Sequence, residues 1–368
     1  MDITAAVFRP GSSEFTLEPL VLAPPGPGEV LVEIAAVGLC HTDLATRDGV
    51  IPFPTPGVLG HEGSGRVVDV GPGVSKVQPG DPVALSFSTC GKCPSCLVGA
   101  PAYCHLFMPL NYAGGRLDGT SPLSLPTGES VGGMFFGQSS FATHAVAGER
   151  SVVKLPDDAP LDIVGPLGCG VQTGAGAVMR SFAAPAGSSI VVLGAGSVGL
   201  SAVLGAVVRD LSHILVVEPH ANRRELALDL GATHAIDPAA GDLAEQIRAT
   251  VPDGVDYVFD TTGRPEVIEA AAAGLAPRGV LGIVGVPSDP AAAISLNIIN
   301  TMIQGLTVKG IVEGDSDPDV FIPELLALHA AGRFPFDKMI TRMPFDQINE
   351  AVELQHRGEA VKVVLVHQ

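Results

Sequence analysis

Tryptophan is absent, aromatic residues make up 5% of the chain and charged residues only 16%. That scarcity of charge accompanies a 46% hydrophobic share, the balance of a chain that buries much of itself. Positive charge is scarcest of all: 21 Lys and Arg stand against 39 Asp and Glu, a formal net charge of −18. A phosphate backbone demands a basic footprint, so nucleic acid is excluded as a partner, and anionic membrane surfaces are disfavoured. Met1-Asp2 leads into no basic segment followed by an apolar one, so no secretory leader is expected and the cytoplasm is the expected compartment. One long stretch, Ser181 to Val208, carries no charge. It is broken by Pro185, Gly187, Gly194, Gly196 and Gly199, and it reads as a buried strand, a turn and a packed helix rather than a membrane span.

What is present is more specific. At 368 residues with 45 glycines, the chain is long enough for two domains rich in tight turns. Four of its six cysteines crowd into Cys90-Gly91-Lys92-Cys93-Pro94-Ser95-Cys96 and Cys104. Disulfides are rare in reducing cells, and adjacent C-x-x-C pairs would be strained if bridged. Four thiolates in one short loop instead predict a closed tetrahedral zinc site that fixes a lobe lacking its own core. With no coordination position left open, that metal does no chemistry.

A second donor set begins at Gly38-Leu39-Cys40-His41-Thr42-Asp43 and continues at Gly60-His61-Glu62. Cys40 and His61 lie too far apart for one helix face, so a turn of the fold must bring them together. Zinc favours such N and S donors, and catalytic zinc takes three protein ligands with a fourth position open. The remaining free cysteine, Cys169 in Gly168-Cys169-Gly170, is the candidate third ligand.

Ile190-Val191-Val192-Leu193 is an apolar strand followed by Gly194-Ala195-Gly196-Ser197-Val198-Gly199 and a helix through Val208. A second strand over 214–217 ends in Glu218. Glycines at 194, 196 and 199 let a backbone approach a pyrophosphate, and an acid about twenty residues on accepts from an adenosine ribose. The carboxylate of Glu218 would repel a 2′-phosphate, which favours NAD over NADP, although Arg223 and Arg224 follow closely. Alternating apolar patterns predict strands over 2–8, 14–20, 29–38, 63–70 and 81–85, a β-rich first part. Helices over 221–230, 242–251 and 265–274 alternate with strands over 234–236, 255–260, 279–284 and 306–311, a doubly wound parallel sheet in an α/β chain. Helices over 320–332 and 346–357 and a closing strand over 360–366 complete the reading, with a loop rich in Gly, Ser and Pro over 112–133.

These motifs, in this order, resemble the zinc-dependent medium-chain alcohol dehydrogenases over essentially the whole chain. Ile311-Val312-Glu313-Gly314-Asp315-Ser316 and Gly332-Arg333-Phe334-Pro335-Phe336-Asp337 look like the aryl (benzyl) alcohol dehydrogenase branch. The resemblance implies a GroES-like catalytic domain over 1–170 with its zinc lobe at 90–104, a Rossmann-type NAD-binding domain over 171–312, and a return over 313–368 that completes the first. It implies one catalytic and one structural zinc per subunit, a small alcohol or aldehyde as substrate, and a homodimer or homotetramer built through the cofactor domains. Thr42 resembles the relay hydroxyl that accepts the alcohol proton, and Asp43 the acid that orients His61. Glu62 resembles a support beside the metal, and His41 and Lys362 resemble contacts to the cofactor pyrophosphate. Val284 and Val286 look like residues near the nicotinamide. Ile51, Phe87, Phe135, Phe136 and Val312 stand where relatives build an apolar substrate pocket. Many relatives pass the proton onward through a histidine where this chain has Ala45, so that route is missing here. The expected activity is reversible oxidation of a primary, aromatic alcohol with NAD. A thiol-adduct formaldehyde dehydrogenase is the near alternative, and a catalytically silent NAD- and zinc-binding protein the distant one.

Overall fold

A computed structural model describes residues 1–367, and its chain divides into two compact units. The first takes Met1–Cys169, Asp317–Leu326 and the segment from Ile340 onward; the second takes Gly170–Ser316 and Ala327–Met339. Residues 327–339, expected with the returning segment, thus count with the second unit.

The first unit is β-rich. Strand Glu29–Gly38 is its spine, pairing antiparallel with Gly63–Val70, with His144–Gly148 and with the closing strand Lys362–Val366. Aliphatic residues dominate Glu29–Gly38, and most of its side chains are buried because neighbours cover both faces. The closing strand sets Val364 opposite Gly38 and Val366 opposite Ala36, so the chain end lies beside the segment that enters Cys40. A second sheet of short strands contains Asp2–Phe8 and Thr16–Leu22. The latter starts two residues later than its pattern suggested, because Ser12 and Glu14 close a side-chain-to-backbone turn first.

The second unit is a parallel sheet in the order His234–Ile236, His213–Val217, Ser189–Leu193, Val255–Asp260, Leu275–Ile283, Thr307–Gly310. Every pairing is parallel, the signature of a doubly wound arrangement. Its core gathers Val191, Leu193, Leu215, Val258, Ile247 and Ile268 from the strands and the covering helices. The uncharged stretch resolves into strand Ser189–Leu193 and helix Ser197–Val208. That helix is apolar because it is buried from Gly199 through Ala206. Among the described residues no helix is long and apolar enough to cross a membrane. Helix Ile298–Gln304 was not legible in the sequence, since its apolar residues point outward: Ile298 is 83% and Met302 71% exposed.

Candidate active site

Cys40, His61, Glu62 and Cys169 each offer a donor atom, and the four atoms lie within 4.8 Å of one another in the first unit. Local structure accounts for two of them. Cys40 caps helix His41–Arg47 in extended conformation, and its N–H donates to Asp43 Oδ2 at 3.0 Å, as in a capping box. The other oxygen of Asp43 accepts from Gly60 N at 3.0 Å and meets His61 Nδ1 at 2.9 Å. One buried carboxylate therefore fixes the backbone of Cys40 and the ring of His61. Pairing at Nδ1 leaves Nε2 to face the thiols.

That nitrogen is buried and has no hydrogen-bond partner. An orphaned polar atom in such a place costs free energy unless something else satisfies it. The electrostatics point the same way. A hydrogen bond from Cys169 holds the Cys40 thiol well below its usual range against the opposing effect of burial, helped by His61 and Lys362. Burial would push His61 down, but Asp43 and Cys40 outweigh it and hold the imidazole well above its ordinary value. Two sulfurs and one ring nitrogen aimed at a common point, with anionic character on the sulfur, fit a zinc ion by chemistry and by reach.

Glu62 is buried completely, and burial raises its carboxyl against the pull of Lys362. Lys362 is 1% exposed, neither a solvated lysine nor a group facing phosphate. Its Nζ donates to Leu39 O at 3.0 Å and to both Glu62 oxygens at 3.0 and 2.9 Å. Those three bonds use all three ammonium protons, so the expected pyrophosphate contact is replaced by a buried ion pair beneath Glu62. The sequence placed Lys362 on a closing strand but did not show that the strand would lie against Gly38.

Thr42 Oγ1 is 3.8 Å from Cys40 Sγ. Ala45 is buried one turn further on, and His41 is exposed at the start of the helix. The aromatic residues form a wall. Phe136 stacks on the imidazole of His61 with centroids 4.5 Å apart, and Phe135 meets the same ring edge-on at 5.4 Å. Tyr112 and Phe107 pack against Phe136, an extension that the scattered loop aromatics did not announce. Phe87 is buried against Phe107, and Ile51 is half-buried. Val312 is half-buried in the second unit.

Cys90, Cys93, Cys96 and Cys104 likewise bring four donor atoms within 4.8 Å, and none is in a disulfide. Backbone N–H groups of Cys90, His105 and Leu106 donate to sulfurs of the set. The His105 N–H leads in pulling Cys93 down to about 6, while burial and its bond to Cys93 push Cys96 up to about 12. Four sulfurs at this spacing cannot all ionise without a cation, and zinc in a closed tetrahedral site supplies one.

In the second unit, Gly199 packs so tightly that a Cβ would sit 1.9 Å from Gly194 O, whereas a Cβ on Gly196 would meet nothing within 4 Å. Helix–strand packing explains the first glycine; the second leaves an open cradle at the helix start, as a pyrophosphate requires. A cavity of about 570 Å³ opens there, lined by Gly194, Gly196, Glu218, His220, Arg223 and Thr261 among others. Glu218 Oε2 accepts from Ala195 N at 2.8 Å, and Oε1 takes His220 N at 3.0 Å and His220 Nδ1 at 2.6 Å. Val284 is half-buried just after strand Leu275–Ile283, and Val286 is 44% exposed.

Residues 26–157 match the family described as alcohol dehydrogenase GroES-like domain, and residues 197–330 the family described as zinc-binding dehydrogenase. A geraniol dehydrogenase from Castellaniella defragrans is 50% identical over 364 residues, 98% of this chain and 97% of that one. A crystal structure of an alcohol dehydrogenase zinc-binding domain protein from Burkholderia ambifaria superposes with TM-score 0.97 at 44% identity, covering 100% of this chain and 99% of the other. The benzyl alcohol dehydrogenase of Acinetobacter calcoaceticus superposes with TM-score 0.96 at 40% identity over 100% of both chains.

Proposed function

The chain belongs to the zinc-binding medium-chain alcohol dehydrogenases, and from that premise we propose that it oxidises a primary aromatic or allylic alcohol to the aldehyde, reversibly, with NAD. The observation that carries this reading is the convergence of Cys40, His61 Nε2 and Cys169 beside the rings of Phe135 and Phe136. A zinc ion held by those three donors supplies Lewis acidity, which lowers the pKa of an alcohol hydroxyl, and a nicotinamide dinucleotide supplies the hydride acceptor.

The remaining work falls to the chain itself. Asp43 keeps Nδ1 of His61 engaged so that Nε2 stays available to the metal. Thr42 Oγ1 accepts the alcohol proton as it passes its own hydroxyl proton to water, since alanine at 45 offers no second side chain. The aromatic wall binds an apolar alcohol and excludes water from the reacting carbon. Glu218, held by Ala195 and His220, accepts from a ribose diol and opposes a 2′-phosphate. A benzyl ring and a geranyl chain, named for the relatives above, share an apolar body with the hydroxyl on an activated carbon. A carboxylate-bearing thiol adduct needs a cation in the pocket, and Ile51 offers none.

A substrate panel followed by nicotinamide absorbance tests the proposal. Benzyl alcohol and geraniol should both turn over, with NAD preferred to NADP, and a hydroxymethyl-thiol adduct should not. Faster turnover of the adduct, or a preference for NADP, would overturn the corresponding assignment.

We also assign a homo-oligomer built through the second unit. Ile298, Ile299, Met302 and Ile303 are 83%, 64%, 71% and 71% exposed, and strand Thr307–Gly310 is the sheet's edge. An exposed apolar helix leading into the last strand of the sheet suits a second copy of the same chain. Ile303→Asp should shift sedimentation toward the monomer; an unchanged sedimentation coefficient would argue against this face.

A further inference from the structure

The turn Met134–Phe141 carries strain that the family motifs do not explain. Met134, Phe136 and Ser139 take φ values of 57°, 50° and 55°, a region that residues with a Cβ seldom enter. Strain of this kind persists where surrounding contacts over-determine it, and it gathers at functional sites. The contacts here are dense. Ser139 Oγ donates to Val58 O and accepts from Phe135 N, while Ser140 N and Phe141 N donate to Gly60 O and Leu59 O. The turn is fastened to the segment that ends in His61, and Phe136 lies on that histidine's ring.

At its centre is Gln138, 2% exposed. Its Nε2 donates to His61 O at 2.9 Å and to Ser86 O at 3.3 Å. Its Oε1 accepts from Gly63 N at 3.1 Å and from Ser140 Oγ at 2.8 Å. Both amide protons and both lone pairs are used, and two carbonyls facing one side fix which end is nitrogen. Ser86 continues the chain of contacts, its Oγ donating to Gly168 O at 2.6 Å, immediately before Cys169.

We propose that Gln138 is a positioning residue for the Cys40–His61–Cys169 zinc site, tying the His61 segment to the Cys169 segment through Ser86. Asp43 performs the matching task between Cys40 and His61. Three ligands drawn from remote parts of the chain thus need two buried ties, and Gln138 is the second. This rests on the zinc-site reading above.

The test is zinc release. Gln138→Met keeps the length and apolar bulk of the side chain but removes all four bonds. Zinc-loaded protein is mixed with an excess chelator and release is followed with a colorimetric indicator, alongside circular dichroism. For the parent, two zinc ions per chain should leave at distinguishable rates. In Gln138→Met one of them should leave roughly 10- to 100-fold faster, the scale typical of contacts behind a metal ligand, while the other keeps its rate and the dichroism is unchanged. Ser86→Ala, which cuts the tie to Gly168 and keeps the backbone carbonyl that Gln138 contacts, should accelerate the same ion less. It serves in place of Gln138→Met if that variant does not fold. Cobalt substitution adds a readout independent of turnover, since displacement of a ligand should shift the visible bands of the site. Parent-like release in Ser86→Ala and in any folded Gln138→Met, or equal acceleration of both ions in a folded variant, would overturn the proposal. A parent that holds only the cysteine-lobe zinc would instead overturn the zinc-site reading.

Discussion

Cys40→Ala should lower turnover by at least ~10³-fold while dinucleotide binding is retained. Lewis-acid stabilisation of developing charge is worth several kcal/mol, and each ~1.4 kcal/mol is tenfold in rate. The same substitution takes away the residue whose backbone caps helix His41–Arg47 with Asp43, but the main chain keeps that bond whatever the side chain. The loss should therefore be chemical and local. Metal analysis should find one zinc per chain where the parent has two, because Cys90, Cys93, Cys96 and Cys104 form their own set. Nicotinamide fluorescence should report dinucleotide affinity within about threefold of the parent, since the glycine turn and Glu218 belong to the other unit. Turnover persisting in the variant would refute the assignment of Cys40.

Lys362→Met should destabilise the protein by roughly 3–5 kcal/mol in urea unfolding, the cost of leaving one member of a buried ion pair without its counter-charge. The side chains of Lys362 and Glu62 are 2% and 0% exposed, so water cannot take the place of the lost ammonium. Glu62 carries the larger penalty. Its carboxyl is already raised by burial, with Lys362 the chief opposing influence. Adding Glu62→Gln to Lys362→Met should recover much of the loss, since a neutral pair is cheaper to bury than a lone charge. A single variant within ~1 kcal/mol of the parent would show that the pair contributes little, and the buried-pair account would fall.

Much of the fold was legible because each unit announces itself through period. The strands of the parallel sheet read as short apolar runs, and the glycine turn between Leu193 and Ser197 reads as a helix start because backbone packing requires glycine at 199. The metal donors were legible because their chemistry is distinctive: few residue types bind zinc, and this chain has six cysteines in all. Gln138 was not legible. A lone amide in Phe135-Phe136-Gly137-Gln138-Ser139-Ser140 looks like an ordinary loop residue until the four atoms around it are known. Lys362 failed for a related reason: a lysine on a closing strand is usually solvated, and only the pairing of Val364 with Gly38 buries it. Helix Ile298–Gln304 escaped because a helix with apolar residues on its exposed side breaks the pattern by which surface helices are found. In the first two cases the missing information was long-range: Gln138 bonds to His61 and Ser86, 77 and 52 residues away, and Lys362 to Glu62, 300 residues away.

Anomalous scattering at the zinc edge from crystals of the protein tests the central claim most directly. The account predicts two peaks per chain, one among Cys90, Cys93, Cys96 and Cys104, the other at roughly 2.0–2.3 Å from Cys40 Sγ, His61 Nε2 and Cys169 Sγ. A peak in the cysteine lobe alone, from protein purified with zinc present throughout, would contradict it.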